Sequence, residues 1–90
     1  MIFMISYKDK FKYKRVKIFW HDIITDPSWL ELKDVDKLTC ASCEDIGYLY
    51  YKDSKFVKIF TSYSYDGSNL TIGNITVLPR SVVFKIEVLK

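Results

Sequence analysis

Ninety residues make one small domain, since independent domains run to about 100–150 residues, and no stretch approaches the roughly 18 uncharged apolar residues of a membrane span. Hydrophobic residues are 49% of the chain and charged residues 28%, which excludes the apolar-poor, highly charged composition of disordered chains. The net charge of +3 is divided unevenly: Tyr7 to Lys17 holds six basic residues against one acid, a net +5, and Asp22 to Asp45 holds seven acids against two lysines, a net −5. Such polarity steers association more than folding. The opening Met1–Ser6 is apolar ahead of the lysines, the reverse of a secretion signal, and predicts a cytoplasmic protein without membrane attachment.

In chain order, residues 1–12 read as a basic N-terminal arm, flexible or pairing along a sheet edge. Its lysines fall on even positions with Tyr7, Phe11 and Tyr13 on odd ones, whereas Val16, Ile18 and Trp20 are even. Because a one-residue slip turns a strand over, this change of phase calls for a bulge or break near Lys14 and Arg15. The folded domain is expected over 13–90. Lys14 to Ile24 is rich in β-branched and aromatic residues and predicts a first strand. Asp26-Pro27 then reads as a cap and first helical residue, predicting a short helix from Pro27 to about Lys33, or irregularly on to Lys37, with Trp29, Leu30 and Val35 inward. From Ala41 the chain is β again, and Gly47 to Lys52 and Lys55 to Ser64 flank Asp53-Ser54 as a hairpin. Asp66-Gly67 marks the next reversal, and Asn74 to Leu78 and Val82 to Leu89 supply two more strands. Five strands with short connections describe a small, strongly bent barrel.

The closing run Ile75-Thr-Val-Leu-Pro79-Arg-Ser-Val82-Val-Phe-Lys-Ile86 resembles the end of SH3-like barrels, where a strand reaches a proline, makes one helical turn and enters the last strand. Trp20-x-Asp22-Ile23, Pro27-x-Trp29, Gly47 and Ser62-Tyr-Ser64-Tyr-Asp66-Gly67 extend a similarity to short uncharacterised proteins of bacteriophages and mobile elements over about Lys14 to Ile86. The resemblance implies a mostly β, five-stranded SH3-like barrel with one short helix after the first strand, in a phage setting. It implies no catalytic residue.

Motifs for chemistry are thin. Cys40 and Cys43 form a CxxC pair, half of a four-ligand zinc site, with His21 as the sole histidine to complete it. Glu44 and Asp45 beside the pair oppose thiolate formation. His21 and Asp22 are adjacent on a strand and point to opposite faces, and no nucleophile elbow, phosphate loop or zinc-protease motif is present. The expectation is a non-enzymatic protein with no cofactor and no metal.

Two surfaces remain. In the hairpin Leu49, Tyr51, Val57 and Ile59 form the natural core set, leaving Tyr48, Tyr50, Phe56 and Phe60 on the other phase. Either these rings are covered from within the chain or they anchor a protein partner; the reading favoured here makes them the anchors for a host or viral protein, with Asp34 and Asp36 giving electrostatic selectivity. The alternative is nucleic-acid binding by Lys8, Lys10, Phe11, Lys12, Tyr13, Lys14, Arg15 and Lys17, lysines on phosphates and rings on bases.

Overall fold

The structure, a computed structural model, describes residues 11–90; the arm's residues 1–10, Lys8 and Lys10 among them, lie outside the described residues. Five strands form one antiparallel sheet: β1 (Arg15–Asp22), β2 (Ala41–Lys52), β3 (Phe56–Asp66), β4 (Asn69–Pro79) and β5 (Val83–Val88), in the spatial order β4-β3-β2-β1-β5. The mostly β architecture with one short helix follows the sequence reading. The sheet does not close: β4 and β5 are its two opposite edges, and no pairing joins them.

Alternation decides the two faces. On one, Val16, Ile18, Val57, Ile59 and Leu78 are buried, with Trp20, Leu49, Val83 and Ile86 packed against them. Gly47 sits opposite Val16 in this layer, where a Cβ would lie 2.9 Å from the Phe60 carbonyl oxygen, so only glycine lets β2 and β3 approach this closely. At the rim, Trp20 Nε1 donates to Asp45 Oδ2 at 2.8 Å, which satisfies a half-buried carboxylate and ties β1 to β2.

The opposite face carries a second cluster. Tyr48 pairs with Phe60, and Phe11 and Tyr13 cross over them: Phe11 lies 4.9 Å from Tyr48 and stacks on Tyr63 at 4.4 Å, and Tyr13 meets Phe60 edge-on at 5.4 Å. This resolves the change of phase. β1 starts at Arg15, where the phase changes, and each phase has its own apolar partner: even residues enter the main core, while Phe11 and Tyr13 enter the rings.

The turns follow local chemistry. Asp53 Oδ1 accepts from the Lys55 and Phe56 amides, both at 2.8 Å, so a side chain closes the hairpin without glycine. Those two bonds, Phe56 first, hold the Asp53 carboxyl below its ordinary value, and its acceptance from Tyr51 raises that phenol. Gly67 takes φ +64° at the next reversal. After Pro79 one 3-10 turn (Arg80–Val82) leads into β5, its first amide donating to the Lys55 carbonyl at 2.7 Å.

The helix is the main departure. In place of Pro27–Lys33 there is one turn, α1 (Leu32–Val35), with no side-chain cap. Asp26 Oδ1 accepts instead from the Ser28 amide at 2.9 Å and the Ser28 hydroxyl at 2.5 Å. That local turn competes with a helix start, and one helical turn lacks the length to be stable alone. Trp29, Leu30 and Val35, expected to face inward, are all exposed.

Candidate functional site

The segment 23–40 joins β1 to β2 at one end of the sheet and contributes nothing to either buried cluster. Ile23 and Leu32 are each 82% exposed and Trp29 is fully exposed. Ile23, Ile24, Leu30, Val35 and Leu38 line a groove of about 530 Å³, with Asp26 at its wall. Most exposed apolar side chains on a soluble protein are scattered singly; a contiguous set around a depression marks a contact site. The charge here is acidic. Two ion pairs, Lys33–Glu31 at 3.7 Å and Lys37–Asp34 at 4.0 Å, neutralise part of it, while Asp26 and Asp36 form no ion pair among the described residues. Bonding from Ser28, side chain before backbone, lowers the Asp26 carboxyl from its ordinary value, so that charge is retained.

The expected anchors do not share this surface. Phe60 is fully buried under Phe11 and Tyr13 and offers nothing to a partner, and Tyr48 is half-buried in the same cluster. Intramolecular cover, the other option for these rings, is what the chain adopts for this pair. Tyr50 and Phe56 remain about half exposed, on β2 and at the start of β3, and neither lines the groove. Asp34 and Asp36 are likewise absent from the groove's lining. The sequence reading does not make a site of the groove residues: it places Ile23 and Ile24 in the first strand, which ends at Asp22, and Leu30 on the inward face of a helix that is only Leu32–Val35; their one signal as a site is apolar residues recurring among acids.

The residues singled out for chemistry are dispersed. The His21 ring stacks on Phe84 at 4.3 Å, while Asp22 Oδ1 accepts from the Ile23 amide at 2.9 Å. His21 pairs with Ser42, and Cys43 pairs with Trp20 on the opposite, core-facing side. Among the described residues, no three His, Cys, Asp or Glu side chains are grouped to hold a metal ion, and no helix is long and apolar enough to cross a membrane. Comparison of the chain with protein-family models, curated proteins and solved structures finds no match.

Proposed function

We propose that this chain is a binding protein, not a catalyst, and that it works by docking a segment of another protein in the groove of the 23–40 loop. The observation that carries the reading is the fully exposed Trp29, with Ile23 and Leu32 nearly as exposed, in the same acidic loop as an apolar groove that has Asp26 at its wall. An indole brings large apolar area with little side-chain entropy to lose, the quality of an interface anchor, and unpaired carboxylates favour a partner with lysine or arginine near its apolar residues. The occupant is accordingly a protein segment with aliphatic side chains flanked by basic ones. This keeps the acidic half of the sequence expectation and replaces Tyr48 and Phe60 with Trp29 and the loop aliphatics as anchors.

The setting follows from the resemblance described above: an accessory protein of a phage or mobile element, in the cytoplasm of its host, acting on a host or viral protein. A relation to SH3-like barrels belongs to the same proposal and is supported by the strand order and the 3-10 turn before the last strand. The test is affinity capture from host lysate, with nuclease present, by the natural chain and by the Trp29→Ala/Leu32→Ala variant. Capture of the same protein by the first and not by the second, with equal thermal transitions, is the expected result; equal capture by both refutes Trp29 and Leu32 as its anchors.

A further inference from the structure

The segment entering β1 and the hairpin beside it differ from the groove in charge and in chemistry. Six basic residues lie on two neighbouring segments: Lys12, Lys14 and Arg15 on the stretch entering β1, where the Lys14 carbonyl accepts from the Leu49 amide and Arg15 lies opposite Tyr48, and Lys52, Lys55 and Lys58 on the β2–β3 hairpin. None of the six forms an ion pair among the described residues; the three ion pairs of the chain's described part all involve other lysines. The Asp53 carboxylate is occupied by two amides and the Tyr51 hydroxyl, and Lys58 does no more than favour its charge from a distance. A cluster of like charges without internal partners holds counterions, and releasing them drives the binding of a polyanion.

Rings accompany the charges. Lys12 Nζ lies 5.6 Å from the centre of the Tyr13 ring, and Lys58 Nζ lies 5.6 Å from that of Tyr51. Tyr50, the extra residue where the β2–β3 register shifts, tilts over Tyr13 at 5.8 Å with half its surface exposed. Beside them a slot of about 290 Å³ opens between Phe11 and Tyr13 on one wall and Tyr65 and Leu70 on the other, with Lys12 at its rim. A ring-walled slot next to phosphate-attracting lysines accepts an unstacked base and excludes a paired one. On β1 and β5, Lys17 is paired to Glu44 at 3.6 Å and lies opposite Glu87, and the Phe84 ring is stacked on His21 at 4.3 Å.

We propose that the basic, ring-lined surface around residues 11–15 binds single-stranded nucleic acid, with Lys12, Lys14 and Arg15 on phosphates and Tyr50 and the slot on bases. It is independent of the groove and stands or falls apart from it. The test is fluorescence anisotropy of a labelled single-stranded 12-mer and of its duplex, with the full chain at 50 and 200 mM salt. If about four phosphates are engaged, the slope of log K against log salt is near −2.8, and affinity falls about 50-fold between the two salts. Lys12→Ala/Lys14→Ala, both exposed, brings the slope to about −1.4, and Tyr50→Ala weakens single-strand binding by about tenfold. Trp29→Ala leaves it unchanged. Absence of binding at 50 mM salt overturns the proposal, as does equal affinity for strand and duplex that is indifferent to Tyr50→Ala, which is charge attraction alone. Thermal transitions of the variants, read by circular dichroism, separate lost contacts from lost folding; the double lysine variant keeps the test decisive should Tyr50→Ala unfold.

Discussion

If the ring cluster is a second core, Phe60→Ala must behave as a core deletion. The side chain carries at least about 150 Å² of surface, all of it buried, which at ~25 cal/mol per Å² corresponds to nearly 4 kcal/mol. Its neighbours Phe11, Tyr13 and Tyr48 are only half-buried and can settle inward, recovering part of the cavity. The expected loss is therefore near 3 kcal/mol, the low end for Phe→Ala in cores. For a chain of this length that lowers Tm by roughly 12 to 24 °C, a large share of a total stability of about 5–13 kcal/mol. Thermal and urea unfolding followed by circular dichroism measure it. A shift of less than about 4 °C would show that Phe60 is not packed between the sheet and the Phe11–Tyr13 segment, and would restore it as an exposed anchor.

Four further outcomes follow from the same geometry. Trp29→Ala/Leu32→Ala changes stability by less than about 0.5 kcal/mol, because neither side chain packs on anything; a calorimetric Tm checks this. Gly47→Ala costs about 1–3 kcal/mol through the contact of its Cβ with a backbone carbonyl that cannot rotate away, visible as a lower urea midpoint. Trp20→Phe leaves the half-buried Asp45 carboxylate without its indole donor and costs about 1–2 kcal/mol, again by urea titration. Asp53 is lowered in the folded state, so its stabilising effect is complete above its ordinary value of 3.8 and fades as the pH falls below it; Asp53→Asn removes that part of the acid sensitivity, and melting curves between pH 5 and pH 2 compare the two.

Legibility in the sequence tracked periodicity. β1, β2, β3 and β5 lie within a few residues of the runs that announced them, and Pro79 leads into the single helical turn, Arg80–Val82, expected from the resemblance. The start of β4 is the strand segment the pattern hides: Asn69 to Gly73 belongs to β4 because it pairs with β3, a tertiary fact that Gly73-Asn74 disguises. The helix at Pro27 was misread because Asp26 can cap a helix or close a turn on Ser28, and local sequence does not choose between them. The rings were the harder case. Alternation correctly separated Tyr48 and Phe60 from the Val57–Ile59 core, but whether that second face meets solvent depends on Phe11 and Tyr13 crossing over it, a long-range contact with no local signature.

Hydrogen–deuterium exchange of the protein with and without its captured partner tests the central claim most directly. Docking in the groove predicts new protection over residues 23–40 and none over the hairpin strands at 48–60. Protection confined to the hairpin, with the loop exchanging as before, would contradict it.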